Sequence, residues 1–174
     1  MQTKPRGVLL AALSLCVLTL APLPAAGAAG QPQVLKVAVV QLGMEPTLAE
    51  NRDKIARLTG EAAAAGARLV VFPEGALAAP PGNSREEYDA AADAVGRAAR
   101  DHRVYVCTGA RHVPAGQTRH HNQLFVFSPE GQTLLVYDKV WHARKYDAPK
   151  LVEIDGVPTS FIICADRWSR PTGR

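Results

Sequence analysis

Apolar residues fall into short runs separated by polar or helically patterned stretches. Leu35 to Leu42 (LKVAVVQL) is rich in Val and bounded by polar residues, which predicts a buried strand. Thr47-Leu48-Ala49-Glu50 is a capping box, in which the Thr side chain bonds an orphan amide and the Glu reaches back. Apolar residues then recur at Leu48, Ile55, Leu58, Ala62 and Ala65, helical spacing that Gly66 is placed to stop. Leu69 to Phe72 predicts a second strand, ended by Pro73-Glu74-Gly75. After a Pro- and Gly-containing loop, Ala79 to Asn83, a second capping box spans Ser84 to Glu87. Tyr88, Ala91, Ala92, Val95, Ala98 and Ala99 mark the inner face of the helix it starts.

Val104 to Thr108 predicts a third strand. Gln123 to Phe127 and Leu134 to Lys139 flank the turn Ser128-Pro129-Glu130-Gly131, and Val152 to Ile154 and Val157 to Cys164 flank Asp155-Gly156. Both read as hairpins. The order β-α-β-α-β followed by hairpins predicts an α/β fold with helices lying on a sheet. There is no internal repeat.

Charge changes this picture little. Taking Lys4 and Arg6 from the 20 basic residues leaves 18 against 16 acidic, a net of +2 beyond the first segment. That is too small to argue for nucleic acid or an anionic membrane surface. The first segment itself reads as a secretory signal over residues 1–28. Lys4 and Arg6 give a positive start, Val8 to Ala21 an apolar stretch, and Ala26-Gly27-Ala28 the small residues of a cleavage site. The expectation is an exported protein, periplasmic or extracellular, not held in the membrane once the signal is cleaved, with a mature domain over 29–174. Of three cysteines, Cys16 leaves with the signal. Cys107 and Cys164 remain, too few for a disulfide framework, and a bond between them is left open. Cys107 is the choice for an inert, buried thiol.

Three chemically capable residues each follow an apolar run: Glu74, Lys139 and Cys164. Ends of strands are where α/β sheets collect ligands and chemistry. The segments Phe72-Pro73-Glu74, Tyr137-Asp138-Lys139-Val140 and Ile163-Cys164-Ala165-Asp166 resemble, in order, the three motif blocks of the nitrilase superfamily of carbon–nitrogen hydrolases. Asn51 in the first helix and Asn122 before a strand fit the same pattern.

The resemblance implies part of a four-layer α-β-β-α sandwich and a Glu74–Lys139–Cys164 triad. The implied reaction cleaves a non-peptide carbon–nitrogen bond of an amide, carbamoyl compound or nitrile through a cysteine thioester, with no cofactor and no metal. A thiol needs a base to become a nucleophile, a role that falls to Glu74. Charge developing on the substrate needs a donor, a role for Lys139 and the backbone amide of Ala165. Asp166, Trp168 and Asp147 are the candidates for contacting substrate, Asp147 because Val140 to Lys150 contains no Glu. The partner is a small molecule, and a homo-oligomer is left open.

The stretch from Lys139 to Cys164 is shorter than the family's usual loop, and the chain runs only ten residues past Cys164. The expectation is an incomplete domain with an exposed apolar sheet face. The alternative function is a catalytically inactive nitrilase-like binding module, or a half-domain that needs a partner. A zinc enzyme built on His120, His121, His142 and Cys164 is disfavoured because none falls in a ligand spacing. His102 and His112 read as surface positions.

Overall fold

The computed structural model describes residues 34–78, 83–113, 121–139, 151–164 and 166. The signal-like segment lies outside them. All of the described residues belong to one unit, Gln33–Arg174. Among the described residues no helix is long and apolar enough to cross a membrane.

Both capping boxes form. Thr47 starts α1 (Leu48–Ala64) and Ser84 starts α2 (Arg85–His102), each side chain accepting from the amide three residues on. Such caps contribute about 1 kcal/mol each. The helices carry the chain between parallel strands, which need a crossover of that length. β1 (Val37–Val39), β2 (Leu69–Val71) and β4 (Tyr105–His112) are parallel neighbours. The two-residue β3 (Leu77–Ala78) resumes beside β4 where β2 has ended, pairing Leu77 with Ala110. β5 (His121–Phe127) and β6 (Thr133–Asp138) add antiparallel, giving the path β1-β2-β4-β5-β6. β7 (Leu151–Ile154) and β8 (Val157–Ser160) form a separate two-stranded sheet.

Alternation along the strands makes two cores. Val70, Phe72, Val106, Ala110 and Phe127 face the helices and pack on Ile55, Tyr88 and Val95. Leu69, Cys107, Leu124, Val126 and Leu135 face the other way and pack on Ile154 and Ile163. Fully burying side chains such as Ile55, Val70, Val95 and Val106 contributes roughly 1.5–3 kcal/mol each. The β7–β8 hairpin is clamped to the second face at its turn. Arg68 grips the Asp155 carboxylate with Nε at 2.7 Å and Nη2 at 2.9 Å.

The hydrophobic pattern therefore anticipates the α/β class and both α-helices found among the described residues, and the differences are local. β1 is an edge strand: Ala38 and Val40 pack on the helix-side core, while Val37 and Val39 are 44% and 81% exposed on the other face. Leu151 and Ile162 are exposed as well. β4 runs to His112, well past Thr108. His112 is not a surface residue. It is 3% exposed and stacked on Tyr88 with ring centroids 3.9 Å apart. β8 ends at Ser160, so Phe161 to Ile163 reach Cys164 as irregular backbone.

Candidate active site

Glu74 owes its position to an excursion of the chain. β2 stops at Val71, and Phe72 still donates its amide to Cys107 O at 2.8 Å. The backbone then turns through Pro73-Glu74-Gly75 and returns to pair with β4 at Leu77. Gly109 lies under the turn. A Cβ there would stand 2.6 Å from Pro73 O and 2.7 Å from Glu74 Cα. Only glycine lets the two segments approach so closely.

The Glu74 carboxylate collects the other site residues. Its Oε1 accepts from Lys139 Nζ at 2.8 Å and from Asn122 Nδ2 at 2.5 Å. The Lys139 side chain is only 14% exposed. Lys139 directly follows β6, and its backbone amide donates to Asn122 O at 2.8 Å. One Asn residue therefore holds the lysine's backbone and, through its side chain, the lysine's ionic partner. Burial pushes the Glu74 carboxyl upward. Hydrogen bonds from Lys139 and Asn122 and the lysine's charge, with a smaller contribution from the nearby Cys164 thiol, outweigh it and hold Glu74 below the usual carboxylate range.

Cys164 is free and exposed, and its φ is +49°. A non-glycine residue in the left-handed region costs of order 1 kcal/mol or more and persists only where its surroundings fix it. Here both flanks are fixed. Ile163 is buried in the second core, and Asp166 donates its amide back to Ile163 O at 3.0 Å. Asp166 itself is buried, its carboxylate accepting from Tyr137 Oη at 2.7 Å.

A cavity of about 160 Å³ opens beside the thiol. Glu74 and Cys164 give it polar groups, and Phe72, Leu124, Phe161, Ile162 and Ile163 give it apolar walls. Cys107 also lines it but is a free, buried thiol whose pKa is pushed up to about 12 by burial. It is the buried thiol the sequence suggested.

The structure thus brings Glu74, Lys139 and Cys164 together. Asp166 lies beside them, buried against Tyr137. Ala165, Trp168 and Asp147 lie outside the described residues. Sequence reasoning gave no role to Asn122 or Tyr137, although both stood in the matched segments. Their signal was register: Asn122 stands opposite Arg111 at the mouth of β5, and Tyr137 is two residues before Lys139 on β6. Among the described residues no three His, Cys, Asp or Glu side chains gather as a metal ion would require.

A family model described as carbon-nitrogen hydrolase matches residues 36–169. The structure is similar to that of the NitN amidase from Nesterenkonia sp. AN1, with TM-score 0.67 and 23% identity over 76% of this chain and 58% of that one. A glutamate-to-glutamine variant of the Nesterenkonia amidase, showing Michael addition of acrylamide at its active site cysteine, matches with TM-score 0.68 and 21% identity over 76% of this chain and 58% of that one. A cysteine-to-alanine variant in complex with butyramide matches with TM-score 0.63 and 22% identity over 75% of this chain and 56% of that one. The likeness establishes the fold. The chain spans less than two thirds of the length of these amidases. No curated protein matches the chain.

Proposed function

We propose that this chain, which belongs to the carbon–nitrogen hydrolase family, hydrolyses a small amide through a thioester on Cys164. The observation that carries the reading is the ion pair of Lys139 with Glu74 at 2.8 Å, beside a cavity that Glu74 and Cys164 both line.

Glu74 takes the thiol proton as sulfur attacks the carbonyl carbon. The carbonyl oxygen becomes negative, and the Lys139 ammonium beside it lowers the energy of that charge; a single preorganised donor of this kind contributes about 3–4 kcal/mol. Glu74 returns the proton to the nitrogen, the carbon–nitrogen bond breaks and ammonia or an amine departs. Water then gives a proton to Glu74 and its oxygen to the thioester carbon. The acid leaves, and the thiol recovers its proton.

The apolar walls and modest volume of the cavity favour a short aliphatic acyl group over a charged or bulky one. Amides are favoured over nitriles and carbamoyl compounds because the Nesterenkonia relatives carry acrylamide and butyramide. The test is ammonia release from a series of primary amides, with mass spectrometry of the quenched enzyme for an acyl adduct on Cys164. Turnover that survives in Cys164→Ala would overturn the reading.

A second reading rests on the exposure of Val39, Leu151 and Ile162. Turnover would then need further polypeptide packed on these residues. Amide hydrolysis that appears only when such a partner is added would favour it. Export remains part of the proposal, on the strength of Lys4, Arg6 and the apolar stretch after them. N-terminal sequencing of protein from its source, expecting a start just after Ala28, checks it.

A further inference from the structure

We propose that Asn122 is a positioning residue that pins one oxygen of Glu74 and leaves the other to exchange protons with the Cys164 thiol. The inference rests on the hydrolase reading.

A carboxylate has two oxygens, and the proposed chemistry asks two things of this one. It must be held by its neighbours, and it must gain and lose a proton within reach of sulfur. The structure separates the tasks. Asn122 Nδ2 and Lys139 Nζ both donate to Oε1, at 2.5 and 2.8 Å. Two donors on Oε1 fix the rotation of the carboxyl group, and Oε2 accepts from neither of them.

A lysine alone would hold Glu74 less well. Its ammonium is a point charge on a flexible stem, whereas the Asn amide is planar and sits on a strand. Asn122 is also anchored where it matters, because its own carbonyl accepts the Lys139 amide at 2.8 Å. Asn122 Oδ1 is buried and has no hydrogen-bond partner among the described residues. Among the described residues, the side chain's hydrogen bond is therefore the one to Glu74.

Removing the Asn122 donor takes away a bond made to the ionised form, so the Glu74 pKa rises. The charged and titratable groups facing Glu74 are Lys139 after β6 and Cys164 after β8, with the stem of Arg111 on β4 packed against Gly75. None of these changes in an Asn122 variant.

The test uses the full chain with Asn122→Ala and Asn122→Asp. Two profiles are measured against pH: kcat/KM for a short primary amide, and the rate of Cys164 alkylation by iodoacetamide. For Asn122→Ala the acid limb of both moves to higher pH by about half a unit or more. The kcat falls about tenfold and KM changes less than about threefold, because the group acts on the proton and not on the substrate. Asn122→Asp sets a second carboxylate against Glu74 and moves the limb further. Acid limbs within about 0.2 units of the wild-type value in folded variants would overturn the proposal. If Asn122→Asp fails to fold, Asn122→Ser, which keeps a short donor, is expected between wild type and Asn122→Ala. If the wild-type chain releases no ammonia, the reading of hydrolysis by this chain alone fails by itself. The alkylation profile then still decides for or against the placement of Glu74 by Asn122.

Discussion

Tyr137 donates its hydroxyl to the Asp166 carboxylate at 2.7 Å, and this bond joins β6, which Lys139 directly follows, to the turn that presents Cys164. Tyr137 is two residues from Lys139, and Asp166 two from Cys164. The nucleophile and the ammonium are thus referenced to each other through a partly buried contact outside the reacting atoms. A hydrogen bond to a charged group contributes about 1.5–3 kcal/mol. Tyr137→Phe should lower the unfolding free energy by an amount in that range, measured by urea denaturation. It should also cut kcat about tenfold or more, since small misplacements of reacting groups are costly. A variant with reduced stability and full kcat would show that the bond does not place the cysteine.

Gly109 allows the Glu74 turn to lie against β4. The missing Cβ would meet backbone at 2.6–2.7 Å, and backbone cannot swing aside as a side-chain tip can. Gly109→Ala should displace the turn and reduce kcat/KM on the order of 100-fold, while costing about 1–3 kcal/mol of stability as overpacking does. A crystal structure of the variant with Glu74 still at hydrogen-bond distance from Lys139 would refute the argument.

The two thiols differ in access. Cys164 is exposed and lines the same cavity as Glu74, whereas Cys107 is buried with its pKa pushed up to about 12. At neutral pH iodoacetamide should label Cys164 and spare Cys107, as read by peptide mapping, and Glu74→Gln should slow the labelling of Cys164. Equal labelling of both in the folded protein would count against this assignment.

Much of this was legible in the chain because the signals were local. Thr47 and Ser84 began helices where their capping boxes stood, and the matched segments picked out Glu74, Lys139 and Cys164, which lie near one another in the structure. What escaped depended on neighbours. Nothing around Leu77 and Ala78 marks them as a strand; they pair because β4 runs on past Thr108 and offers an edge. The run Val157 to Cys164 looked continuous, yet its pairing with β7 stops at Ser160 and Cys164 is held at positive φ. Val37 and Val39 carry strand propensity without burial, since propensity does not say which face will be covered. His112 read as polar and therefore exposed, while the extension of β4 buries it against Tyr88.

That burial gives a dependence on pH. Neither nitrogen of His112 has a hydrogen-bond partner among the described residues. Burial, then the neighbouring His121 and Arg85, hold its pKa below the usual histidine value, against weaker opposition from Asp89 and Asp138. The folded state therefore binds this proton less readily than the unfolded chain does. As pH falls below the unfolded value near 6.5, the unfolded state gains protons that the folded state refuses, and stability is lost until the folded pKa is reached. The loss is at most about 1.4 kcal/mol per pH unit. His112→Phe keeps the ring stacked on Tyr88 and removes both the titration and two unpartnered nitrogens. It should match or exceed wild-type stability at pH ~7.5 and gain on it as the pH is lowered to ~5.5, measured by urea unfolding at each pH. Parallel decline of the two proteins over that interval would mean that His112 is not the group that titrates.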